Sequence, residues 1–135
     1  MAEFKFVIND VKSGKTYQKA LAEESMIVKQ IGDSIQGAVV GLEGYELQIT
    51  GGTDFAGFPM KKDITGTGRK KALLSYGLGM RKRIAGMKRR KTVCSNQVTE
   101  KTVQINLKVV KYGSKTLDEH FTAPAKEGEA AEAAA

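Results

Sequence analysis

The sequence predicts a mainly β domain: a small twisted sheet or a partly closed barrel, with a short helix and basic glycine-rich loops. Three observations lead there. Apolar residues alternate with polar ones over short runs, which is the period of a half-buried strand. Fifteen glycines against two prolines place many tight turns between short elements. A chain of 135 residues with 41% hydrophobic content can bury one core without disulfide or metal support.

Along the chain, Phe4, Phe6 and Ile8 alternate with Lys5 and Val7, as in a strand with one buried face. Asn9-Asp10 and Ser13-Gly14 mark a turn, and residues 16–21 return as the hairpin partner. Ser25 is placed to cap a short helix over 26–31, with Ile27, Val28 and Ile31 on one face and Gly32 at its end. Tyr45, Leu47 and Ile49 point one way while Glu46, Gln48 and Thr50 point the other. Gly51-Gly52 is expected to stop that strand and open a loop through Gly57. Phe58-Pro59 then holds the backbone extended, because the proline ring disfavours helical geometry in the residue before it. Residues 72–76 and 90–95 are further strand candidates. The cleanest strand is 102–110, where Val103, Ile105, Leu107 and Val109 line one face and Gln104, Asn106 and Lys108 the other. A one-residue slip there would turn four apolar side chains into water, so its register is firmly set. Residues 1–122 are read as a single domain. Residues 123–135 are read as an acidic, Ala- and Glu-rich disordered tail, too short for an isolated helix and without an apolar stripe to dock.

Charge is distributed unevenly. Twelve of the residues from 61 to 91 are basic: Lys61, Lys62, Arg69, Lys70, Lys71, Arg81, Lys82, Arg83, Lys88, Arg89, Arg90 and Lys91. Asp63 is the single acid among them, so this window carries +11 in a chain of net +7, and the remainder sums to −4. Ordinary protein surfaces intersperse the two signs. A localised positive surface calls for a polyanion. A membrane is a poor fit, because the few apolar residues between the charges trace no amphipathic helix. No helix-turn-helix, zinc-finger or basic-zipper pattern is present to read a duplex major groove. RNA is therefore the expected partner, with Phe55, Phe58 and Tyr76 placed either to stack on exposed bases or to fill the core. Gly66, Gly68, Gly77, Gly79 and Gly86 let the backbone follow an irregular phosphate path.

Catalytic, metal and cofactor sites are not expected. His120 is the only histidine and is read as a surface residue, with no metal-ligand spacing around it. Cys94 has no second cysteine to pair with, fits a reducing compartment and is read as a small strand residue, although Arg89 and Arg90 are near enough in sequence to lower its thiol pKa. Glu23-Glu24 and Asp118-Glu119 are adjacent pairs, which do not share a strand face for acid–base work. Gly66-Thr67-Gly68 and Gly77-Leu78-Gly79 lack the strand–loop–helix context of a nucleotide site. The N-terminal residues lack the apolar stretch of a signal peptide, and no window reaches the length of a membrane span. The expectation is a cytoplasmic non-enzyme with no small-molecule substrate.

The segment Gly44-Tyr45-Glu46-Leu47-Gln48-Ile49-Thr50-Gly51-Gly52-Thr53-Asp54, then Gly57-Phe58-Pro59-Met60, has a specific pattern. With Arg69, Leu73-Leu74, Gly77 and Gly86-Met87-Lys88-Arg89-Arg90-Lys91-Thr92-Val93 downstream, it closely resembles the eukaryote-type ribosomal protein six family of the small subunit. That family is shared by archaea and eukaryotes and is distinct from the bacterial protein of the same number. The resemblance runs from about Glu3 to Gly113. It implies a structural constituent of the small ribosomal subunit, bound to ribosomal RNA and to neighbouring ribosomal proteins. The Ala- and Glu-rich C-terminal segment, in place of a long basic helix with a serine-rich tail, resembles the archaeal form. Two positions depart from the pattern: Cys94-Ser95 stands where Arg-Gly is expected, and Phe55-Ala56 replaces a polar pair. The other reading of the basic segment is a free-standing RNA-binding or RNA-chaperone module acting off the ribosome.

Overall fold

In the computed structural model, which describes residues 3–121, seven strands form two sheets. They are β1 (Phe4–Asn9), β2 (Thr16–Leu21), β3 (Ser34–Gln36), β4 (Glu46–Asp54), β5 (Arg69–Leu74), β6 (Arg89–Cys94) and β7 (Thr102–Lys111). Five of them make one sheet in the order β2-β1-β7-β4-β3, and β5 and β6 pair as a separate antiparallel hairpin. The fold is mainly β as expected, and the larger sheet ends at β2 and β3 without closing into a full barrel.

The long strand β7 lies at the centre of this sheet, between β1 and β4. Ile105, Leu107 and Val109 all point into the core, as the sequence predicts. β1 runs parallel to β7 and β4 antiparallel to it, so Phe6 sits beside Ile105, Ile8 beside Leu107, and Leu47 beside Val109. Phe4, Phe6, Ile8, Leu47 and Ile49 complete the buried face, with Val40, Leu42, Tyr45, Met60 and Val98 closing over it. At roughly 1.5–3 kcal/mol for each fully buried large apolar side chain, this cluster is the main stabilising term. The hairpin turn at 10–15 is held by Asp10, whose Oδ1 accepts from the Lys12 amide (2.9 Å) and whose Oδ2 accepts from the Ser13 hydroxyl (2.6 Å).

Three expectations are corrected. The helix over 26–31 does not form; only a single 3-10 turn, Glu24–Met26, is present. The Val28 amide instead donates to Val98, the Ile31 amide to Asn96, and the Val98 amide to Lys29. These bonds tie the segment to 96–98 across a turn at which Val28 takes a positive φ of 80°, a backbone geometry outside the helical region. Among the described residues, α-helical backbone is found at 117–121. Second, Gly51-Gly52 does not stop β4. The strand shifts register between Ile49 and Gly51, then continues to Asp54, with Gly52 opposite Ile105. Gly52 is the residue that permits this, since a methyl group there would overlap the Gln104 carbonyl oxygen. Third, the strands expected at 72–76 and 90–95 are displaced toward the N-terminus, and they pair with each other in a separate sheet. They run from 69 to 74 and from 89 to 94. The expected tail at 123–135 lies outside the described residues.

Candidate nucleic-acid interface

The β5–β6 hairpin carries most of the basic residues. Its register sets Arg69 opposite Cys94, Lys71 opposite Thr92, Leu73 opposite Arg90 and Leu74 opposite Arg89. Alternation puts Ala72, Leu74 and Val93 on one face, where Leu74 and Val93 are buried. The loop 75–88 folds back over them. A methyl group added at Gly79, whose φ is +85°, would stand 3.6 Å from Leu74 and 3.7 Å from Val93, so the loop backbone lies on these two side chains. This small cluster is separate from the main core and holds the basic loop in place.

Residues 58–61 join the hairpin to the large sheet. The Asp54 amide donates to the Phe58 carbonyl (3.0 Å) and the Met60 amide to Gly52 (2.9 Å). On the other side, the Cys94 amide donates to Pro59 (2.9 Å) and the Lys61 amide to Cys94 (3.0 Å). Met60 is buried, whereas Phe58 is half-buried.

Arg69 secures the same junction with its side chain. It meets the buried Asp54 carboxylate through Nε (2.6 Å) and a terminal guanidinium nitrogen (2.5 Å). Asp54 also accepts from the Phe55 amide (2.6 Å). The guanidinium carbon of Arg69 lies 4.9 Å from the centroids of both Phe55 and Phe58. A cation so placed is held by the electron-rich ring faces as well as by the carboxylate. Cys94 lies beside this pair, with Sγ 3.6 Å from Asp54 Oδ2. Its pKa is raised, first by burial and then by the Asp54 charge, rather than lowered by the arginines on its own strand. The reading of Cys94 as a small strand residue agrees with its place at the end of β6.

The remaining predicted site residues distribute around the hairpin. Lys71, Arg81, Arg90 and Lys91 converge on one open cleft of about 760 Å³, whose other walls are Gly57, Phe58, Pro59, Gly79 and Thr92. None of these lining residues is acidic. A second, smaller hollow of about 310 Å³ is shared by Arg81, Lys82, Arg89 and Lys91 with Met80, Ile84 and Met87. Arg83 lies over the exposed Tyr76 ring (4.8 Å), and Lys88 borders a hollow with Tyr76 and Arg83 near the loop tip. Lys62 is exposed, Lys70 reaches only the Thr65 carbonyl (3.4 Å), and Lys61 is half-buried and paired with Asp63 (3.1 Å). Among the described residues, no group of His, Cys, Asp or Glu is arranged to hold a metal, and no helix is long and apolar enough to cross a membrane.

His120 departs from the surface reading. It sits on the helical turn at 117–121, half-buried and edge-on to Tyr45 (6.1 Å between centroids). Among the described residues its Nε2 finds no hydrogen-bond partner. Two contributors to the interface were not singled out from sequence. Asp54 holds Arg69, and Pro59 walls the cleft; both lie in the Gly-Gly-Thr-Asp and Gly-Phe-Pro-Met segments that carry the family resemblance.

Fold and site together define a small β protein carrying a cation-dense hairpin, whose open cleft of about 760 Å³ has no acidic lining residue. The profile of the ribosomal protein S6e family matches residues 4–122, and the chain belongs to that family. It is 45% identical over 119 residues to the small ribosomal subunit protein eS6 of Methanocaldococcus jannaschii, covering 88% of this chain and 91% of that one. Over 123 residues it is 46% identical to the eS6 of Archaeoglobus fulgidus, covering 88% and 95%. The eS6 of Methanosphaerula palustris is 39% identical over 132 residues, 96% of this chain and all of that one.

Proposed function

We propose that this protein is a structural constituent of the small ribosomal subunit, located in the cytoplasm on the ribosome, and that its β5–β6 hairpin binds and organises ribosomal RNA. The observation that carries the RNA contact is the convergence of Lys71, Arg81, Arg90 and Lys91 on one cleft without a lining carboxylate. Cations held this close repel one another, and a phosphate backbone relieves that repulsion while releasing its own counterions. The arginines meet phosphate oxygens with paired hydrogen bonds, and the lysines act as point charges. Bridging two RNA segments that otherwise repel fixes their local folding. The five-stranded sheet is the rigid support for this hairpin, and its polar surface is available to neighbouring ribosomal proteins.

The test has two parts. In sucrose gradients of native extract, the protein stays with the small-subunit peak after a high-salt wash; release to the top fractions would favour the off-ribosome RNA-binding module. With purified protein and a ribosomal RNA fragment, about six neutralised phosphates give a log–log salt slope of about −4 to −5. A slope near zero would sink the electrostatic mechanism.

A further inference from the structure

From the shape and walls of the 760 Å³ cleft, we infer that it is a binding site for a single unpaired nucleotide, whose base enters against Phe58 and Pro59 while Lys71, Arg81 and Arg90 hold the flanking phosphates. This rests on the RNA-binding reading above and specifies which RNA the hairpin selects.

Phosphate attraction alone needs neither a cavity nor an apolar wall. An A-form duplex presents a convex backbone, and its bases are stacked inside where a side chain cannot reach them. Protruding cations serve such a partner well. The cleft here is concave, within the range of about 300–1,000 Å³ that encloses small ligands. Its lining is divided between two chemistries, an aromatic and a proline ring and a set of cations. An unpaired nucleotide is divided in the same way, with a π-faced base and charged phosphates.

The wall is also held in place before any ligand arrives. The carbonyls of Phe58 and Pro59 accept from the amides of Asp54 and Cys94, which anchors this segment to both sheets. Arg69, fixed by the buried Asp54, lies 4.9 Å from the Phe58 ring centroid and restrains it. Such pre-organisation lowers the ordering entropy lost on binding. Arg69 is thus a positioning residue for the wall. Gly79 lies on Leu74 and Val93 and against Pro59, where an added methyl group would stand 3.8 Å from the proline ring, so the loop that carries Arg81 is seated beside the wall.

The probe is a short RNA stem with one bulged 2-aminopurine, compared with a fully paired stem of equal length and charge in the same buffer. The full chain is expected to bind the bulged stem about fivefold to a hundredfold more tightly, the factor that stacking of one base supplies. Binding should quench the 2-aminopurine fluorescence. Phe58→Leu, which preserves apolar volume but removes the ring, should bring the bulged-stem affinity down to that of the paired stem. If the unaltered chain binds both stems equally and with a steep salt slope, RNA binding stands and the nucleotide site falls. Binding of neither stem would overturn both. The comparison on the unaltered chain decides the matter even if Phe58→Leu does not fold.

Discussion

Arg69 belongs to the predicted contact residues, yet Asp54 accepts its two hydrogen bonds and two phenyl rings flank it. A charge already compensated by a buried carboxylate attracts phosphate less than an open one does. Arg69→Gln should therefore weaken RNA binding less than Arg81→Gln or Arg90→Gln, as read by filter binding at one ionic strength. Stability should show the opposite order. Asp54→Ala strands a partly exposed guanidinium and leaves the Phe55 amide with only the Lys101 carbonyl (3.1 Å), at a cost of about 1–3 kcal/mol in urea denaturation. Equal stability of Asp54→Ala and the parent would show that the clamp contributes nothing to the fold. The neighbouring glycines separate in the same way. Gly52→Ala drives a methyl group into the Gln104 carbonyl and should cost about 2 kcal/mol or more, whereas Gly51→Ala meets open space and should cost less than about 1 kcal/mol. Read from sequence, the two glycines look alike; only the strand crossing beneath Gly52 distinguishes them. Asp54 was equally hidden, because a single acid in a loop motif carries no sign of the arginine fifteen residues ahead.

Elements were legible where their pattern is local. β1, β4 and β7 each alternate over six or more residues, and each buries most of the face that its alternation names; the exception is Val103, only half-buried at the start of β7. The segment 26–31 was illegible for the converse reason. Its fate depends on backbone partners at 96–98, about seventy residues away, which no short window contains. The C-terminal turn at 117–121 is likewise fixed from a distance. Tyr17 donates to Asp118 (2.5 Å) and stacks on Phe121, Lys15 pairs with Asp118 (3.1 Å), and the Tyr45 hydroxyl donates to the Lys115 carbonyl. Nearby, Tyr112 donates to Asp10 (2.6 Å). These bonds make the two elements pH-sensitive with a definite sign. The Ser13 and Tyr112 hydroxyls lower the Asp10 pKa from 3.8 to about 2, and Tyr17 followed by Lys15 lowers that of Asp118. Stabilisation from both is complete above the ordinary carboxylate range and disappears as pH falls through the folded values. Asp118 in turn raises the Tyr17 pKa from 10.0 to about 12, so that contribution is complete below 10 and is lost as pH rises through 12. The melting temperature should therefore fall below about pH 4 and again above about pH 10. Asp10→Asn should flatten the acid limb. The groups are solvent-exposed, so the limbs are shallow and should shrink further with salt. An acid limb unchanged in Asp10→Asn would remove Asp10 from the account.

At the scale of the whole molecule, the main core and the proposed RNA-contacting hairpin are different parts. The main apolar cluster draws on the five-stranded sheet and its covering loops, while Leu74 and Val93 form their own small cluster under the basic loop. The sequence showed the charge density of 61–91 but not that separation, since the window includes both the anchoring residues 61–69 and the free loop. Because Leu74 pairs with Arg89, the loop 75–88 can be replaced by a two-residue Asn-Gly turn, which fits the twist of an antiparallel pair. The shortened chain should keep its fold. Partial exposure of Leu74 and Val93 should cost about 1–2 kcal/mol, a fall of about 5–10 °C in Tm. Arg81, Lys82, Arg83 and Lys88 leave with the loop, so the log–log salt slope for RNA should become shallower by about 3. Lys71, Arg89, Arg90 and Lys91 remain on the strands and should retain a weaker, still salt-sensitive affinity. Calorimetry and salt-titrated binding on the same preparation distinguish the outcomes. Cooperative melting with a reduced slope supports a rigid platform carrying a separable contact loop. Loss of cooperative melting would mean that the hairpin is part of the folding unit, and an unchanged slope would place the phosphate contacts elsewhere on the sheet.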